Sequence, residues 1–213
     1  MMLCEITDGE LNRMSAIIGI CGENFCSFVA DTRLTHNSGD EYIVANDTTQ
    51  KIFKVNDHVL FGMTGLFKTG EEILVPLDIY PDKDVVTLRM AYKAVLGYLE
   101  KNKYKISLMR NYLIGGKDNK GRFCIYEVHM NFETYKAETV LRMPEPPVTS
   151  YGISCAIPPE LHDRKNEFLD MTGDCITSSG ELGEMLQKVA GVIGKIADAD
   201  GTVGRTVTAL SVF

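Results

Sequence analysis

Helices in this chain are predicted in consecutive pairs between blocks of strands, and that order restricts the fold more than any other feature. Ala16 to Cys21 reads as a β-branched strand, turned at Gly22-Glu23-Asn24, and Phe25 to Ala30 returns as a second strand. Thr35 to Asp40 reads as a loop and Tyr42 to Ala45 as a short strand. Lys51 to Val55 and His58 to Met63 flank Asn56-Asp57, a second tight-hairpin signal. Two helical stretches follow, a short one over Leu66 to Leu74 stopped at Pro76, and a longer one over Val85 to Asn102. Strands return over Ile106 to Ile114, Arg122 to His129, Glu133 to Arg142 and Thr149 to Ser154, with Pro144-Glu145-Pro146-Pro147 as a break. The second helix pair is Pro159 to Met171, opened by proline, and a helix running to about Ala197. Its cap is expected at Ser178 or Ser179, with Glu181 or Glu184 completing a capping box. Thr206 to Phe213 alternates as a final strand. Such an order disfavours a doubly wound parallel sheet and favours antiparallel sheets with helix pairs outside them, an α+β fold.

Composition narrows the function classes. A chain of 213 residues fits one domain and can bury roughly 70–75% of its unfolded surface. Net charge is -7, and no Lys/Arg stripe is present to track phosphates, which argues against nucleic acid as a partner. The basic run Lys101-Asn102-Lys103-Tyr104-Lys105 reads as a solvated helix end. No apolar run approaches the ~18 residues of a membrane span, and the acidic N-terminus is not a secretory signal, so a cytoplasmic location is expected. The six cysteines are then expected as thiols, mostly as small core residues. Their spacing matches no metal site, and no cofactor is called for. His36, His58, His129 and His162 form no Ser/His/Asp arrangement by spacing, and Gly115-Gly116 looks like a bulge or turn, not a phosphate loop.

Four motifs at fixed separations carry chemistry. They are S-A-I-I-G-I from Ser15, V-A-D-T-R ending at Arg33, Q-K-I-F-K-V around Lys51, and F-G-M-T-G ending at Gly65. Together they supply a hydroxyl at the start of a strand, a carboxylate, a lysine and a glycine amide. In this order they resemble a proteasome β-type subunit, a member of the N-terminal-nucleophile hydrolases. The resemblance runs from Ser15 onward, densest in its first fifty residues. It implies a four-layer α-β-β-α sandwich of two antiparallel sheets. It also implies a single domain over 15–213, with 1–14 a tail, a pro-segment or a mis-assigned start.

By the same resemblance Ser15 is the nucleophile and, as the first residue of a mature chain, supplies its own α-amine as base. A hydroxyl needs such a base, and an α-amine with a reference pKa near ~7.7–8.0 suits proton transfer. Lys51 would lower the pKa values of its neighbours by its charge, Asp31 would hold Lys51, and the Gly65 N–H would form the oxyanion hole. Arg33 is expected to support the structure. Between Arg33 and Lys51 the chain is a few residues longer than the family pattern. Among the distal partners, Ser150 is the best match for a serine that contacts the amine. Asp198 or Asp200, with Thr202, follows the last long helix, and Asp200 is slightly preferred.

Two departures stand out: serine replaces the usual threonine, and Met14 stands where family precursors carry glycine. Translation from Met14 with methionine removal would also expose Ser15. The implied activity is hydrolysis of amide, most simply peptide, bonds through a Ser15 acyl-enzyme. The implied assembly is a ring-like homo-oligomer, with an unfoldase ATPase as partner left open. The alternatives are a catalytically inactive assembly or binding protein, and an amidase or transpeptidase using the same residues on another substrate.

Overall fold

The computed structural model describes residues 12–13, 16–38, 41–65, 70–103, 110–131, 134–146 and 151–213. Ser15 and Ser150 lie outside the described residues, as does most of the N-terminal segment.

Among the described residues, twelve strands form three antiparallel sheets. β2 (Ile17–Cys21) and β3 (Cys26–Asp31) make the expected first hairpin, with Cys21 opposite Cys26. β11 (Gly152–Ala156) and β12 (Val207–Val212) flank it to give the order β11-β2-β3-β12. The second sheet is β10-β9-β8-β7-β6, built from β6 (Ile52–Asn56), β7 (Val59–Thr64), β8 (Asn111–Lys117), β9 (Phe123–Asn131) and β10 (Lys136–Arg142).

Alternation along each strand sets the layers. Ile18, Ile20 and Val29 face one way, into a cluster with Phe168, Val189 and Ile193. Ile17, Phe28 and Ala30 face the other, against Leu60, Leu113 and Ile125 of the second sheet. The outer face of that sheet packs Phe61, Met63 and Tyr112 under Ala91, Val95 and Leu99 of α1 (Leu88–Asn102). On the far side lie α2 (Lys165–Thr177) and α3 (Leu182–Ala199). These three apolar interfaces join four layers, and the architecture is the α-β-β-α sandwich. The sheets touch closely at Gly115, where an added Cβ would sit 2.5 Å from Cys26 Sγ and 2.8 Å from the Phe28 ring.

Several local expectations change. The loop expected from Thr35 is a strand, β4 (Leu34–Ser38), which pairs with β5 (Glu41–Asn46). β1 (Asn12–Arg13) adds a third strand antiparallel to β4, with Arg13 opposite Thr35. The polar sequence T-H-N-S hid this strand, which its pairing with β5 and β1 makes visible. Tyr42, Ile43 and Val44 on β5 are each 45% exposed. The short first helix is a 3₁₀ segment over Gly70–Leu77 that contains Pro76 instead of ending before it. α2 opens with another 3₁₀ turn at Pro159–Arg164. Ser178 and Ser179 do not cap α3; their hydroxyls donate back to the Cys175 carbonyl and close α2. Glu184 instead accepts the Gly180 N–H at 2.9 Å. Five described cysteines are free thiols, four of them buried. Burial pushes the Cys21 and Cys155 thiols up to about 12, as core packing and not reactivity requires. Among the described residues no helix is long and apolar enough to cross a membrane.

Candidate active site

Asp31 ends β3 on the side of the sandwich where β2 begins. Its carboxylate is fully buried and receives hydrogen bonds from three separate backbone segments. Ala16 N–H donates to Oδ1 at 2.9 Å, Arg33 N–H to Oδ2 at 3.0 Å, and Gly204 N–H to Oδ2 at 2.9 Å. The Asp31 N–H in turn donates to the Ala16 carbonyl at 3.2 Å. The residue directly after Ser15 is therefore fixed from both sides by Asp31.

Lys51 completes the charge. Its Nζ lies 2.8 Å from each Asp31 oxygen, and neither side chain is exposed to solvent. Lys51 immediately precedes β6, and its carbonyl accepts the Met63 N–H of β7 at 3.2 Å. Burial, the largest influence, pushes the ammonium down to about 8; the Asp31 charge and hydrogen bond oppose it. A lysine in that range can exchange a proton near neutral pH, which an exposed lysine cannot do as readily.

Gly65 follows β7 by one residue, two positions beyond the Met63 N–H that binds Lys51, and has φ 113°. Glycine occupies that region without the Cβ penalty of other residues. The sequence-predicted Asp31, Lys51 and Gly65 are thus brought to one end of the sandwich, together with Ala16.

The loop from α3 to β12 reaches the same end. Asp200 accepts from both the N–H and the hydroxyl of Thr202, at 2.8 and 2.6 Å. Asp198 instead pairs with Arg205 at the surface. The loop closes on Asp31 through Gly204, a residue sequence reasoning gave no role. A Cβ on Gly204 would stand 2.7 Å from Arg33 Cβ and 3.2 Å from Arg33 N, so the N–H reaches Asp31 only because glycine is there. A glycine three residues after an Asp-Gly turn was the available signal.

The β11–β2 register shows which end of β11 lies beside Ala16. Gly152 pairs with Cys21, and Ala156 pairs with Ile17. The described end of β11 beside Ala16 is therefore Ala156-Ile157-Pro158, which carries no hydroxyl. A cavity of about 650 Å³, lined in part by Arg142, Tyr151, Gly152 and Asp170, adjoins the opposite, Cys21 end of β2. It does not include the Asp31–Lys51 pair.

Two antiparallel sheets thus lie between helix layers, with a buried carboxylate–lysine pair at the head of the first hairpin. Residues 12–74 match the model of the proteasome subunit family. Among solved structures the chain is similar to eukaryotic HslV from Trypanosoma brucei. The two share 13% identity with a TM-score of 0.58, over 93% of this chain and 99% of that one. No curated protein matches the chain. The proteasome-like resemblance is borne out over the stretch that holds all four motifs, and the solved structure shares the fold over the rest of the sandwich.

Proposed function

We propose that this chain is a peptidase of proteasome-like type, acting through Ser15. The observation that carries the reading is the buried Asp31 carboxylate, which binds Ala16 N–H and Lys51 Nζ at once. That arrangement holds the start of β2 beside an ammonium poised near neutrality. In the proposed cycle Ser15 Oγ attacks the substrate carbonyl while its proton passes to the Ser15 α-amine. The Gly65 N–H stabilises the oxyanion. The amine then protonates the leaving nitrogen, and water hydrolyses the resulting ester. Asp200 is the proposed distal acid. A cytoplasmic homo-oligomer is part of the same reading, supported by the family match and by the exposed apolar run Tyr42-Ile43-Val44.

Intact mass combined with electrophile labelling tests the proposal. A chain beginning at Ser15 that is labelled once, and unlabelled in Ser15→Ala, supports it. A full-length mass of 23.7 kDa without labelling overturns it.

A second reading, a non-catalytic assembly or binding protein, is favoured by one observation. The described β11 end beside Ala16 is apolar, where the family resemblance calls for a hydroxyl that contacts the amine. Under that reading Ser15→Ala binds the same partners as the parent chain and neither protein hydrolyses peptides.

A further inference from the structure

Asp47 lies in the stretch between Arg33 and Lys51 that is longer than the proteasome-like pattern. Its carboxylate accepts Arg33 Nε at 2.7 Å and Nη2 at 3.3 Å, a two-point contact. Its backbone carbonyl accepts the Thr32 hydroxyl at 2.6 Å, and the Thr32 carbonyl accepts Thr49 N–H at 2.9 Å. Arg33 also reaches the Gly201 carbonyl at 3.2 Å, while its own N–H binds Asp31. A guanidinium is thus held two residues along the chain from the Asp31 carboxylate, and Asp47 is the carboxylate that meets it.

We propose that Asp47 is a positioning residue for the Asp31–Lys51 pair: it fixes the Arg33 guanidinium and cancels its charge, so that the buried ammonium answers to Asp31 and not to a second cation. The inference deepens the peptidase reading and rests on it for its catalytic meaning, but its physical content concerns Lys51 alone. Among the described residues, the charged groups that act on Lys51 are Asp31 at the end of β3, Arg33 just after it, and Asp47 just after β5. Arg33 drives the ammonium toward deprotonation; Asp31 and Asp47 oppose it.

The sign of one shift separates charge cancellation from mere bracing. A brace, once removed, admits water to Lys51, relieves its burial and raises its titration toward 10.5. Loss of charge cancellation lowers it. The experiment is NMR titration of full-length protein carrying ¹³C-lysine, with Lys51 assigned as the resonance absent from Lys51→Met. Asp47→Asn is expected to titrate below the parent value of about 8, and Arg33→Gln above it. The double variant returns toward the parent, as two opposed effects on one group should. An Asp47→Asn midpoint at or above the parent overturns the proposal. Should that variant not fold, an Arg33→Gln midpoint at or below the parent does the same. Neither readout uses hydrolysis, so failure of the peptidase reading leaves the measured shift standing, and failure here leaves the Ser15 labelling test untouched.

Discussion

At the scale of single residues, the site is organised by one carboxylate with more partners than a surface acid could hold. Asp31 binds an ammonium and three backbone N–H groups in a fully buried position. Removing one side of a buried ion pair leaves the other uncompensated, which typically costs about 3–5 kcal/mol. Asp31→Asn is expected to lose stability in that range by urea denaturation; a change near zero would mean that water reaches Lys51. The depressed lysine also sets a pH signature. Its folded value of about 8 lies below its ordinary value of 10.5, so between those values the unfolded chain holds a proton that the folded chain has shed. Stability therefore rises from pH ~8 toward ~10.5 by this group's contribution, and the charged form costs most below pH ~8. Comparing the pH dependence of unfolding in the parent and Lys51→Met isolates that rise, which the variant lacks. In the proposed cycle the ammonium form is needed, so the rate of peptide hydrolysis is expected to fall as pH passes above ~8. A rate still climbing beyond that point would assign Lys51 the role of base instead.

At the scale of elements, hairpin β2–β3 is placed by packing on both of its faces. The inter-sheet face leaves no room at Gly115, where any side chain meets Cys26 and Phe28. Gly115→Val is expected to cost about 1–3 kcal/mol or more through overpacking. Thermal unfolding reads the loss, and an unchanged midpoint would imply that the sheets can part locally. The hairpin itself was legible in the sequence, because Ile17 to Cys21 and Cys26 to Asp31 combine β-branched residues with a polar turn. Asp31, Lys51 and Gly65 were singled out by motifs that resemble those of the family, and the strand pairings bring them to one end of the sandwich. β4 was not legible: its residues read as a loop, and only pairing with β5 and β1 makes it a strand. The 3₁₀ segment through Pro76 escaped for a related reason, since the looser i→i+3 pattern tolerates a proline that an α-helix interior does not. Gly204 and Asp47 were hidden because each acts through a loop contact distant in sequence, Gly204 on Asp31 and Asp47 on Arg33.

At the scale of the whole molecule, the position of the chain boundary governs what the site can do. Asn12 and Arg13 pair with His36 and Thr35, so the residues just before Ser15 form a strand on β4. That strand sits on β4, which follows Arg33 in the chain. A peptide bond at Met14-Ser15 removes the amine that the proposed mechanism uses as base. The chemistry thus points to one comparison: the full chain against one whose translation starts at Met14, leaving Ser15 first after methionine removal. Because β1 contributes only two residues and the described core lies within residues 16–212, both chains are expected to fold, with similar unfolding midpoints. Only the shorter is expected to react with an electrophile aimed at N-terminal hydroxyls and to cleave peptides. Equal labelling of both would show that the hydroxyl needs no free amine. Labelling of neither, with the fold intact, would leave the non-catalytic reading as the one the molecule supports.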